Sequence, residues 1–180
     1  MTQPVFQRPD ETEYVSHFGR YVSLVPEGDI LTILARQNEG TLTLLRGLSE
    51  SQGGFCYAPG KWSIKELVAH LSDAERIFAD RALRFARADQ TPLPGFEEND
   101  YVRHGSFDSF HLADIVTGFE NVRRSTLSLF RLMSKEAATR RGKANNAEIS
   151  VRALAYVIAG HELHHMNVLR TRYLEGVQAS

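Results

Sequence analysis

Apolar residues recur at helical spacing in four long stretches of the chain. In the first, Ile30, Ile33, Leu34, Thr41, Leu44, Leu45 and Leu48 keep that spacing up to Ser49, and Asp29 stands where an N-cap belongs. The second begins sharply, because Ser63 and Glu66 form a capping box and Trp62 can staple onto Leu67. Its stripe runs through Ile64, Leu67, Leu71, Ala74, Phe78, Ala82 and Phe85. Phe110, Ile115, Phe119, Val122, Leu129 and Leu132 mark the third. Ser150 caps the fourth, which starts at Val151 and stops at Gly176. The pattern predicts helices over 30–49, 63–88, 109–133 and 151–175, and no strand.

The intervening segments carry no sustained period. Residues 1–25 are polar and aromatic, a strap that lays Tyr14, Phe18 and Tyr21 on the body. Gly53, Gly54, Pro59 and Gly60 make residues 51–61 a loop. Residues 89–106, with Pro92 and Pro94, form a link of the length that is often functional or crosses between elements. Residues 134–147 are polar, with one short helical turn. The expected fold is all-α, a four-helix bundle in a single domain over 1–180, whose long links do not force simple up-down-up-down order.

Composition narrows the chemistry. The 180 residues suffice for one core, and 42% hydrophobic with 24% charged is ordinary for a soluble domain. A formal net charge of -1 gives no electrostatic case for nucleic acid or an anionic membrane. No apolar run reaches the length of a membrane span, and residues 1–10 lack a secretory layout, so a cytoplasmic location is expected. The single cysteine, Cys56, excludes a disulfide framework and a multi-cysteine zinc site. It sits in a Gly-Gly-Phe-Cys-Tyr loop with no histidine beside it in sequence, and is not read as a nucleophile.

The candidate chemistry lies in His161-Glu162-Leu163-His164-His165, on the fourth helix. Residues four apart stack on nearly the same face, so His161 and His165 point the same way, about 6 Å apart, as two ligands of one ion would. Both fall inside the apolar arc of Leu154, Ile158, Val168 and Leu169, whereas His164 lies at its flank. One histidine on an apolar face is usually a satisfied core residue. A third imidazole from another helix would decide for a metal.

Three metal readings compete. His161-Glu162-x-x-His165 matches the H-E-x-x-H pattern of zinc peptidases, but only fifteen residues follow it and no strand is available to align a peptide. Glu162-x-x-His165 is one unit of a di-iron carboxylate site, yet no second unit occurs. In the third reading His70, at the edge of the second helix's stripe, supplies the third ligand. Three neutral imidazoles with an open position suit catalysis.

The chain resembles the DinB/YfiT-like family over nearly its whole length. The likeness runs through Tyr21-Val-Ser-Leu-Val-Pro-Glu-Gly-Asp29, Tyr57-Ala-Pro-Gly-Lys-Trp-Ser-Ile-Lys-Glu66 and His70-Leu-Ser-Asp-Ala-Glu-Arg76. It continues in Arg81-Ala-Leu-Arg-Phe-Ala-Arg87, Pro92-Leu-Pro-Gly-Phe96 and Gly160-His-Glu-Leu-His-His165. The resemblance implies an up-down-down-up bundle, frequent homodimers and a divalent metal: nickel, zinc, manganese or iron. By position it implies His70, His161 and His165 as ligands. It also implies thiol-dependent S-transfer or a related isomerisation, with a small-molecule substrate and a low-molecular-weight thiol.

Three functions stay open: a metal-dependent transferase that activates a thiol for attack on a small electrophile, a metal-dependent hydrolase, and a non-catalytic metal-binding bundle. Asp73, Arg81 and Arg84 share an edge of the second helix with His70. They are read as a solvated face with helical ion pairs, against the alternative that they orient a histidine or grip an anion. Glu162 and Asn167 are read as surface residues. His17, His104 and His111 have no partner spacing and no assigned role.

Overall fold

Four helices make the bundle of the computed structural model, which describes residues 5–175: α1 (Ile30–Arg46), α2 (Ile64–Ala86), α3 (Leu112–Arg131) and α4 (Val151–Val168). Asp29, Ser63 and Ser150 cap α1, α2 and α4 through their side chains, and the Ser63–Glu66 capping box is complete in both directions. α1 packs on α3 and α4, and α2 packs on the same two helices, so α1 and α2 lie across the bundle from each other. Past Val168 the fourth helix widens into a π-helical stretch, Leu169–Leu174. Its expected stop at Gly176 lies outside the described residues.

The sequence pattern overran several ends and missed several small elements. α1 stops at Gly47, and Ser49 caps a separate short helix, Glu50–Gly53. α3 starts at Leu112, not near residue 109. The link over 89–106 contains a helix, Glu98–Gly105, with Val102 as its buried residue. One buried position in eight residues gives no period to find.

The expectation of no strand is also corrected. After the short helix Lys135–Thr139, Arg141–Ala144 (β1) and Ala147–Ser150 (β2) pair as an antiparallel hairpin, with Arg141 opposite Ser150. Asn145 and Asn146 turn it with φ of 49° and 62°, the left-handed pair that a two-residue hairpin turn requires. The Leu93 N–H donates to the Lys143 carbonyl, and the Asn145 N–H donates to the Leu93 carbonyl. The long link is thereby stitched to the hairpin. Phe85 covers Gly142 so closely that an added Cβ would lie 2.0 Å from its ring.

The N-terminal strap is ordered by specific contacts. Arg8 donates to the carbonyls of Val22 and Val25, and Glu13 pairs with Arg152 of α4. Phe6 meets Phe130 edge to face. A short helix, Gly19–Val22, lies directly on α4 at Gly160, where a Cβ would stand 2.0 Å from the Tyr21 carbonyl oxygen. Glycine is needed there because backbone meets backbone.

One polar group ties all four helices together. The wholly buried Arg123 of α3 donates two hydrogen bonds to the Glu75 carboxylate of α2, at 2.9 and 2.7 Å. Its Nη1 donates to Glu162 of α4 at 2.7 Å and to the Leu34 carbonyl of α1 at 3.1 Å. The Thr41 hydroxyl of α1 completes the Glu162 carboxylate at 2.6 Å. The two carboxylates more than offset the desolvation that opposes a buried guanidinium, so its pKa is raised and it stays charged. Replacing Arg123 by Met leaves two buried carboxylates without their cation. We expect a loss of about 3–5 kcal/mol in urea unfolding, the usual cost of breaking a buried ion pair from one side. A loss below about 1 kcal/mol would show the clasp to be dispensable.

Candidate metal centre

His70 comes from the second turn of α2, and His161 and His165 come from one face of α4. The two helices pack directly, and their imidazoles meet in the contact between them. His161 Nε2 lies 3.1 Å from His70 Nε2 and 3.1 Å from His165 Nε2. Nitrogen atoms of all three rings lie within 4.8 Å of one another. Two bonds of roughly 2.1 Å to one ion place adjacent ligand nitrogens about 3.0–3.4 Å apart, so the donor set fits a single divalent ion.

Electrostatics favours the same use. Burial pushes His70 down to about 4 and His165 down to about 3. Burial also drives His161 well below its ordinary range, helped by His165, His70, His164 and Arg20. All three are therefore neutral at pH 7, the form that ligates. Without an ion the cluster is poorly satisfied, because His161 Nε2 has one lone pair or one proton to share between two neighbours.

The surroundings are asymmetric. His70 and His161 open onto a cavity of about 200 Å³ walled by the strap, α2, the 93–96 loop and the hairpin. His165, with His164, opens on the other side into a depression of about 270 Å³ bordered by Tyr57, Trp62 and Tyr173. Tyr21 closes the top of the cluster, its ring 5.3 Å from that of His161. The Trp62 ring stands 4.8 Å from that of His70, and its carbonyl accepts from the Tyr173 hydroxyl.

The structure brings together the three histidines singled out in the sequence and leaves His164 beside them, packed on Tyr21 and His165. Glu162 corrects the surface assignment: it is 2% exposed and belongs to the Arg123 clasp. α4 is apolar on nearly every side from Val151 to Gly160, the mark of a helix covered all round. That signal was available in the sequence, and it outweighs an angular offset from the stripe. Asp73 pairs with Arg76 and Arg84 with Asp89, as a solvated face would, but Arg81 is buried and borders the cavity. Cys56 is largely exposed, and what desolvation it has, together with Asp108 and Glu66, pushes its thiol pKa up, away from reactivity. Asn167 is exposed as expected.

The sequence model of the DinB superfamily matches residues 33–169. A protein of Oceanobacillus iheyensis named "Putative metal-dependent hydrolase" is 25% identical over 124 residues, 68% of this chain and 70% of that one. YfiT from Bacillus subtilis, described as "a probable metal-dependent hydrolase with an unusual four-helix bundle topology", superposes with a TM-score of 0.64 at 13% identity. That alignment covers 95% of this chain and 91% of YfiT. A mycothiol-dependent maleylpyruvate isomerase superposes with a TM-score of 0.63 at 15% identity, over 81% of this chain and 61% of the isomerase. At these identities the structural likenesses establish the fold. The name of the Oceanobacillus relative and the three-histidine cluster together point to a metal ion.

The depressed imidazole pKa values have a measurable consequence in metal-free protein. Below pH 6.5 the unfolded chain takes up protons that the folded cluster refuses until about pH 4 or lower. Stability is thus full above pH 6.5 and falls as the pH drops toward 4, by up to about 1.4 kcal/mol per unit for each imidazole. Urea titrations of chelated protein from pH 7.5 to 4.5 should show this slope. A His70→Asn/His165→Asn double variant should reduce it to the share of His161, and an unchanged slope would place the titrating groups elsewhere.

Proposed function

Since the chain belongs to the DinB superfamily, we propose that it is a metal-dependent enzyme that activates a thiol cosubstrate for S-transfer to a small electrophile. The observation that carries this reading is the convergence of three neutral imidazoles beside a cavity large enough for a small molecule. His70, His161 and His165 would hold the ion, and an all-imidazole donor set favours nickel, zinc or iron over manganese. A bound divalent ion supplies Lewis-acid activation of a thiol at its open position.

The chain's own residues supply the remainder. Phe78, Phe96 and Ile149 exclude water from the cavity and receive the apolar part of the electrophile. Tyr21 and Trp62 hold the imidazole planes by edge and tilted ring contacts. The new bond joins sulfur to the electrophilic carbon, while the thiol proton and any leaving group pass to solvent. The thiol-dependent isomerase among the structural neighbours supports this reading. The names of YfiT and of the Oceanobacillus relative support a second one, a hydrolase that activates water at the same centre. The proposal places the enzyme in the cytoplasm, as a homodimer.

Elemental analysis of untagged protein, paired with a thiol-conjugation assay, tests the reading. Wild type and His164→Ala should carry one ion per chain, and His161→Ala and His165→Ala should carry almost none. The His161→Ala protein should stay helical by circular dichroism, because the bundle has its own core. Chelation should abolish conjugation, and adding the ion back should restore it. Collapse of the helical signal on chelation would mark the metal as structural, and thiol-independent ester or amide cleavage would favour the hydrolase.

A further inference from the structure

Arg81 is the side chain that neither the bundle nor the metal centre accounts for. His70, Ala74, Phe78 and Arg81 lie at i, i+4, i+8 and i+11 on α2, one face of the helix and one wall of the cavity. Arg81 is 6% exposed. Its Nη2 donates to the Pro94 carbonyl at 2.9 Å, and its guanidinium lies 5.8 Å from the centre of the Phe78 ring. Among the described residues it has no ion-pair partner, in contrast to the buried Arg123 with its two carboxylates. Burial pushes the Arg81 pKa down, opposed by Asp80. A buried guanidinium without a counter-ion is costly, and the cost falls when an anion arrives.

The cavity has the remaining parts of an anion site. Arg20 lines it from the strap, held by a hydrogen bond from Nη2 to the Tyr21 hydroxyl, and it too has no ion pair among the described residues. Glu98 and Glu148 also border the cavity, but both are exposed and neither pairs with Arg20 or Arg81. Between Arg81 and the imidazoles the walls are Ala74, Phe78, Phe96 and Ile149, which suit a short hydrocarbon chain. We propose that the cavity takes a small carboxylate substrate, its carboxylate on Arg81, its chain along Phe78 and its other end at the three histidines. The guanidinium fork matches a carboxylate in two parallel hydrogen bonds, which fixes orientation as well as affinity.

The proposal rests on the catalytic reading of the centre in calling this ligand a substrate, and its test needs no turnover. Sodium hexanoate and hexanamide are titrated into metal-free protein, with binding followed by ligand-observed NMR. Wild type should bind hexanoate at least tenfold more tightly than hexanamide. Arg81→Met should bring the two within about twofold, and Arg81→Lys, which keeps the charge, should retain part of the preference. Ala74→Leu fills the cavity without touching the guanidinium and should abolish hexanoate binding. Equal binding of acid and amide to wild type overturns the proposal even if the Arg81 variants do not fold. So does a preference that survives Arg81→Met, or binding that survives Ala74→Leu, since Arg81 also borders an outer groove. Equal binding of acid and amide to wild type, with metal-dependent conjugation intact, sinks the anion site alone. The converse result sinks the thiol-transfer reading alone.

Discussion

The Arg123 clasp is the constraint on which the arrangement of this protein depends. A guanidinium has to be buried where four helices meet, and it can stay there only if carboxylates come to it. Glu75 comes from α2, Glu162 comes from α4, and α1 contributes Thr41 and the Leu34 carbonyl. These contacts fix the rotation of each helix about its axis. With Glu162 turned toward Arg123, the preceding His161 and the following His165 face α2 and its His70. A structural ion cluster thus sets the direction of the candidate metal ligands.

The second determinant is the cover over the histidines. The bundle alone would leave His161 open at the side of α4. The strap closes that side by laying Tyr21 on Gly160, and the hairpin and the 93–96 loop extend the walls outward. Each covering segment is irregular or short, and each is held by a few identifiable contacts, such as Glu13 with Arg152 and Leu93 with the hairpin. Desolvation by this cover keeps the imidazoles neutral, so the same packing that makes the cavity also makes the ligands.

The bundle and the three histidines were legible in the sequence because both rest on helical periodicity and capping, which are local. Ser63 with Glu66, and Ser150 ahead of Val151, mark their helix starts without tertiary information. The all-round apolar run of α4 signals that Glu162 is covered, but its partner Arg123 lies 39 residues away and only the fold joins them. The hairpin was hidden in a polar stretch, although the Asn145-Asn146 pair is a turn signal of the kind that closes two-residue hairpins. The walls of the cavity were not legible, since Tyr21, Phe96 and Ile149 come from three segments with no common period. Arg81 has the spacing of one more charged residue on an exposed edge, and it is the 93–96 loop, distant from that pattern, that buries it.

The geometry at the crossing of α2 and α4 offers three imidazoles, and no carboxylate, to one ion. X-ray absorption at the metal edge of zinc-loaded protein tests it most directly, because multiple scattering from imidazole rings counts histidine ligands. Three imidazoles with at least one further oxygen, nitrogen or sulfur neighbour are expected, and whatever zinc His70→Ala retains should show two. A wild-type count of four imidazoles, or a count unchanged in His70→Ala, would contradict it.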